Sequence, residues 1–188
     1  MLKTITRTAL IALTVCVTSF NASANEYTDS AKALINSKIK KWLETPVVID
    51  AVKTQNEAHT SISQEDINAL DQKWRAGDTH LIETVMSNEL SSYLAKIKQD
   101  SEGLYTEIFV IDNKGLNVGQ SDLTTDYWQG DEAKWQETFS AGIDAMHITD
   151  VEEDESSQTY QIQISIPVVD NGNVIGTVTV GVNAGVLE

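Results

Sequence analysis

Apolar positions follow two rhythms along this chain, and the change between them falls near residue 100. Before that point they recur every three to four residues. Ala31, Leu34, Ile35, Ile39, Trp42 and Leu43 form one stripe, with Lys38, Lys40 and Lys41 opposite, which predicts a long amphipathic helix. Pro46 interrupts it, so a kink or break is expected near Thr45, and Val47, Val48, Ala51 and Val52 resume the pattern. Ser63-Gln64-Glu65-Asp66 reads as a helix start, with Ser63 as cap and acids in the first turn. Ile67, Leu70, Asp71 and Trp74 follow at helical spacing, and Gly77 is the expected stop. Asp78 or Thr79 can cap a third helix with Leu81, Val85, Leu90, Leu94 and Ile97 as its buried stripe.

Beyond residue 100 the period shortens to that of strands. Tyr105 to Ile111 is rich in β-branched and aromatic residues, Asp112-Asn113-Lys114-Gly115 is turn chemistry, and Leu116 to Ser121 returns as a second strand. Thr124 to Phe139 reads as a loop and short helix. Asp150 to Glu155 is an acidic run, expected as a solvated loop because it lacks the glycine and spaced oxygen ligands of a calcium site. Tyr160 to Val169 and Val174 to Val182 are two more strands, joined at Asn171-Gly172, a strong hairpin signal. Ile108, Val110, Val118, Ile164, Ile166, Ile175 and Val178 are expected on one buried sheet face. The pattern predicts an α+β fold, an antiparallel sheet with helices gathered on one side.

The first 24 residues stand apart. Lys3 and Arg7 precede the twelve-residue, largely apolar run Ala9–Phe20, and Ala22-Ser23-Ala24 supplies a cleavage site. This is the pattern of a secretory signal peptide, and the run is short for a membrane span. Residues 1–24 are therefore expected to be removed, leaving 25–188 as one domain, mainly helical over 25–100 and mainly sheet over 101–188, in the periplasm. The single cysteine, Cys16, leaves with the leader, so neither a disulfide nor thiolate chemistry is available afterwards. Thirteen Lys and Arg against 28 Asp and Glu give a net charge of −15, and loss of Lys3 and Arg7 lowers it to −17. Such a surface disfavours nucleic acid and anionic lipid.

Catalytic signals are thin. His59, His80 and His147 have no His or Cys neighbour at metal-ligand spacing, and neither a nucleophile elbow nor a phosphate loop occurs. The chain is expected to be no enzyme, with no cofactor and no metal. Residues 126–135 are richer. Tyr127, Trp128 and Trp135 lie within nine residues, interleaved with Gln129, Asp131 and Lys134. Aromatics with a polar handle line small-ligand sites, and they also plug cores. Lys134, and Arg75 beside Trp74, are the cations placed to grip a small anion such as a monocarboxylate, with Tyr127 as a hydroxyl donor.

The strand Tyr105–Ile111, the turn Asp112–Gly115, the strand Leu116–Ser121, Ser121-Asp122, the Tyr127-Trp128-Gln129-Gly130-Asp131-Glu132 stretch with Trp135, then Ile166–Val169 and Val174–Asn183, together resemble a Cache domain. These are PAS-like extracytoplasmic sensors of chemoreceptors and sensor kinases. The resemblance is clearest over residues 104–183. It implies a central five-stranded antiparallel sheet with a long N-terminal helix and covering helices. It also implies a metabolite pocket roofed by residues 121–139, which adds Ser121 and Asp122 to the candidate contacts. Ala133 stands where amino-acid-binding members carry Arg, and Gln136 replaces their last Tyr. No apolar span follows Asn183, so a free-standing periplasmic module is expected, acting through a separate membrane chemoreceptor or sensor kinase. The N-terminal helix could pair with a second copy or pack on its own sheet. The other reading is a structural or protein-interaction domain whose pocket is filled by its own side chains.

Overall fold

The computed structural model describes residues 27–154 and 159–187. The leader and its cleavage site lie outside the described residues. The helical half opens with α1 (Thr28–Leu34), a π-helical segment (Ile35–Ile39) and α2 (Lys40–Leu43). Pro46 then occupies the first turn of α3 (Pro46–Ala58), where its missing N–H costs nothing, and extended Thr45 makes the break. In α4 (Gln64–Arg75), Ser63 and Asp66 form a reciprocal capping box. Gly77 follows at φ +78, the left-handed turn that ends the helix. The expected third helix is two. Asn88 accepts from the Ser91 N–H at 2.7 Å and so starts α6 (Glu89–Asp100) after α5 (Thr79–Met86) has ended.

The sheet comprises β1 (Tyr105–Ile111), β2 (Asn117–Gln120), β3 (His147–Ile148), β4 (Glu152–Asp154), β5 (Thr159–Asp170) and β6 (Asn173–Asn183), with α7 (Ala133–Phe139) between β2 and β3. All its pairings are antiparallel, in the order β2-β1-β6-β5-β3. The five-stranded expectation meets a six-stranded sheet, because β3 and β4 pair with successive stretches of β5. The acidic run is thus partly strand: Glu152 pairs with Gln161 and Glu153 with Tyr160. Asn171 and Gly172 both have positive φ, +49 and +79, as the tight β5–β6 hairpin requires.

Register sorts the faces. Ile108, Val180 and Ile164 form one row across the sheet, and Phe109, Thr179 and Ser165 the next. Successive residues point oppositely. The first set, with Val110, Val118, Ile166 and Val178, is buried against Val48 and Val52 of α3, Leu90 and Leu94 of α6, and the stripe Ile35, Ile39 and Leu43. The N-terminal helical stripe is therefore spent on the chain's own sheet. Ile175 is only partly buried at the edge of this core. The second set is polar and also buried: Ser165, Thr177 and Thr179, with Phe109. It carries α7, so helices cover both faces rather than one.

Candidate functional site

The segment between β2 and α7 is held at nearly every step, and each fastening uses a different chemistry. Ser121 Oγ accepts from the Ile108 N–H at 2.8 Å and donates to Asp122 at 2.6 Å, while Asp122 pairs with Lys98 at 2.5 Å. Trp74 Nε1 donates to the Thr124 carbonyl at 2.8 Å, and its indole stacks on Tyr127 at 5.3 Å. Asp71, almost fully buried, accepts from the backbone N–H groups of Tyr127 and Trp128 at 3.0 and 3.1 Å. Arg75 bridges Asp71 at 2.7 Å and Asp126 at 3.1 Å. The hydrogen bond to Asp71, and then the charges of both acids, raise its pKa further.

Two indoles, one from this segment and one from α7, reach the β1–β2 turn. Trp128 Nε1 donates to the Lys114 carbonyl at 3.0 Å, and Trp135 Nε1 to the Asp112 carbonyl at 3.1 Å. Gly115 has φ +86, and a Cβ there would lie 2.5 Å from Gly130 Cα, so the turn passes the loop this closely only with glycine at 115, while a Cβ on Gly130 would run into the Trp128 indole. The turn is itself clamped by buried Asp112, which accepts from Gln55 at 2.9 Å and faces His59 Nδ1 at 2.9 Å. Burial pushes the Tyr127 phenol well above its usual pKa, and the Asp112 charge adds to this.

Between this fastened loop and the polar sheet face lies a cleft of about 510 Å³. Phe109 and Glu107 of β1 and Gln163 of β5 line it from the sheet. Thr124, Asp126, Gln129, Glu132 and Lys134 line it from the loop and α7. Gln129 is buried, whereas Leu123 at the rim is 57% exposed. Lys134 Nζ pairs with Glu132 at 3.0 Å and sits 5.4 Å from the centre of the Phe109 ring. Glu107 Oε1 accepts from Gln161 at 3.1 Å and from Gln163 at 2.9 Å. Other concavities exist, of about 760 Å³ among α3, α5 and α6 and about 400 Å³ beside the N-terminal helix. The cleft on the polar face combines an aromatic floor, convergent amides and a Lys–Glu pair, the chemistry of small-ligand sites.

Of the eight residues expected to contact ligand, the structure places Lys134 in the lining of this cleft. Trp74, Arg75, Trp128 and Trp135 instead fasten the loop or the turn beneath it, and Ser121 and Asp122 anchor its start. Tyr127 lines the cleft among the helices, on the other side of the loop. Sequence reasoning missed Glu107, Phe109 and Gln163. For Gln163 a signal was present in the alternation Gln161-Ile162-Gln163-Ile164-Ser165, whose polar half faces away from the main core. Among the described residues no group of three or more His, Cys, Asp or Glu is placed to hold a metal.

No family model and no curated protein matches this chain. Solved structures do. The sensory domain of the Campylobacter jejuni chemoreceptor Tlp3 with isoleucine bound is 16% identical, with a TM-score of 0.41, over 85% of this chain and 65% of that one. The ligand-binding domain of the Pseudomonas aeruginosa amino acid chemoreceptor PctC, in complex with GABA, is 16% identical at a TM-score of 0.42, over 64% and 57%. The sensor domain of the V. cholerae histidine kinase DctB is 16% identical at 0.36, over 81% and 57%. Each of the three is the sensory or ligand-binding domain of a chemoreceptor or of a histidine kinase. The chain spans less than two thirds of the length of each.

Proposed function

We propose that this protein is a periplasmic small-molecule sensor module that binds its ligand in the cleft between β1, β5 and the loop before α7. It would report occupancy to a separate membrane chemoreceptor or sensor kinase. The observation that carries this reading is the cleft itself: about 510 Å³ of open volume on a polar sheet face, roofed by a loop fastened by Asp71, Trp74 and Arg75. A pre-formed cavity of this size suits a small metabolite, since ligand pockets run to about 300–1,000 Å³. A domain whose pocket is filled by its own side chains would leave no such space. Loop closure or opening over the cleft would be felt at once by α4, through Trp74 and Arg75. That gives occupancy a route to the outer surface.

Export is part of the reading, because a sensor of external metabolites must face them. N-terminal sequencing of the periplasmic fraction should begin at Asn25, and full-length protein held in the inner membrane would refute cleavage. Within the described residues no helix is long and apolar enough to cross a membrane. Ligand occupancy is tested by native mass spectrometry of protein isolated from periplasm, for wild type and for Gln163→Trp, which fills the cleft. A small-molecule adduct on wild type that disappears in the variant is expected. Its absence from both would remove the sensor reading in favour of a structural domain. A small monocarboxylate has one cation to meet in this cleft, Lys134, and must first displace Glu132 from it.

A further inference from the structure

Resting on the cleft as the ligand site, we infer that its ligand is a small primary or secondary amine, bound as an ammonium that donates an N–H to Glu107 Oε2. The charges of the lining lead there. Asp126 is paired with Arg75 and Glu132 with Lys134. Glu107 alone among the acids of the cleft has no cationic partner among the described residues. Its Oε1 receives both glutamine amides, from Gln161 at 3.1 Å and Gln163 at 2.9 Å, and its Oε2 has no hydrogen-bond partner there. Gln161 is in turn held by Thr106. The carboxylate is thus oriented in advance, half-buried, with an acceptor oxygen left over. A carboxylate accepts at both oxygens, and a charge-assisted bond is the strong way to satisfy the second.

An anion fares worse at the same place. Both cations near the cleft are already committed, and Arg75 is shared between two acids. The protein's net charge of −15 attracts cations and repels anions throughout the approach. A metal ion is not the better cation, because no three acids or imidazoles converge among the described residues. An organic cation also meets the buried Phe109 ring beside Glu107 on the cleft floor. The need for an N–H favours primary and secondary ammonium groups over quaternary ones.

Calorimetry at low salt with n-butylamine, 1,4-diaminobutane, tetramethylammonium and butyrate decides the matter on wild type, Glu107→Gln and Lys134→Ala. The glutamine in the first variant keeps an acceptor for Gln161 and Gln163, and an unchanged melting temperature confirms the fold. The two primary amines should bind wild type, tetramethylammonium more weakly, and butyrate not at all. Glu107→Gln should weaken amine binding at least tenfold. Lys134→Ala should leave it equal or tighter, since a repelling charge has gone. Butyrate binding that is lost in Lys134→Ala, amine binding indifferent to Glu107→Gln, or no amine binding would each overturn the inference. If amines fail but a periplasmic adduct still vanishes in Gln163→Trp, only the ligand class falls. If the adduct is also absent from wild type, the cleft reading falls with it.

Discussion

Asp71 is the residue on which the roof of the cleft depends most. Its Oδ1 takes two backbone N–H groups, from Tyr127 and Trp128 at 3.0 and 3.1 Å, and Oδ2 takes Arg75 Nε at 2.7 Å. Asp71→Ala removes the acceptor and leaves both N–H groups facing protein rather than water. An orphaned buried donor costs about 1–3 kcal/mol, so the pair should cost about 2–6 kcal/mol. Arg75→Ala is the control. Its side chain is 54% exposed, and exposed ion pairs contribute about 0–1 kcal/mol. Asp71→Asn should fall between the two, because Oδ1 persists while the charge and the match to Arg75 are lost. Urea unfolding gives the three stabilities, and hydrogen exchange reports the amides of Tyr127 and Trp128 directly. Asp71→Ala should release those amides to fast exchange while β5 and β6 stay protected. Equal costs for Asp71→Ala and Arg75→Ala, or unchanged protection at the two amides, would refute this account of the roof.

Ile164 is fully buried in the sheet core, and Ile164→Ala should cost about 2–5 kcal/mol in urea unfolding, with the larger value if the cavity does not collapse. Asn88 caps α6 and also donates to the Val118 carbonyl at 2.8 Å, so Asn88→Ala should cost about 1–2 kcal/mol by the same assay and loosen α6 from β2. Tyr127 is stabilised in its neutral form, its folded pKa lying above the ordinary 10.0. Its contribution is therefore complete below that value and is lost as pH rises through and beyond it. Melting temperature followed through this alkaline range should fall less steeply for Tyr127→Phe than for wild type. Equal slopes would show that the phenol is not held neutral by the fold.

Much of the fold was legible because local signals and tertiary demands agree. Pro46, the Ser63 cap, Gly77 and Asn171-Gly172 each punctuate the chain where the structure does, since each acts locally, through its own backbone geometry or, at Ser63, a side-chain cap. The failures have a common cause. Leu81, Val85, Leu90 and Leu94 read as one stripe, yet α5 and α6 are separate, because the Asn88 side chain offers the Ser91 N–H a better partner than continued helix would. The acidic run forms part of a strand because β5 extends far enough to present pairing groups to it. Neither effect is visible in periodicity, which records burial and not competition for hydrogen bonds.

The site was harder for a related reason. Aromatic clustering in residues 126–135 marked the loop that roofs the cleft, but its three large rings, Tyr127, Trp128 and Trp135, together with Trp74, serve as fastenings. Rings with an N–H are as useful for tying two loops together as for holding a ligand, and only the partner's position tells them apart. Charge is ambiguous in the same way. Rare cations in an acidic chain look like anion receptors until their partners are located, and Arg75 and Lys134 both turn out to be paired. The informative group is the acid without such a partner. Glu107 could have been noticed in sequence only as a charge at a strand position whose neighbour, Ile108, belongs to the core. Its meaning depends on Gln161 and Gln163, more than fifty residues away and brought beside it across β6. A carboxylate held by amides, with no cationic partner among the described residues, is open to a cation entering the cleft, and the inferred sign of the ligand rests on that pairing rather than on the count of basic residues.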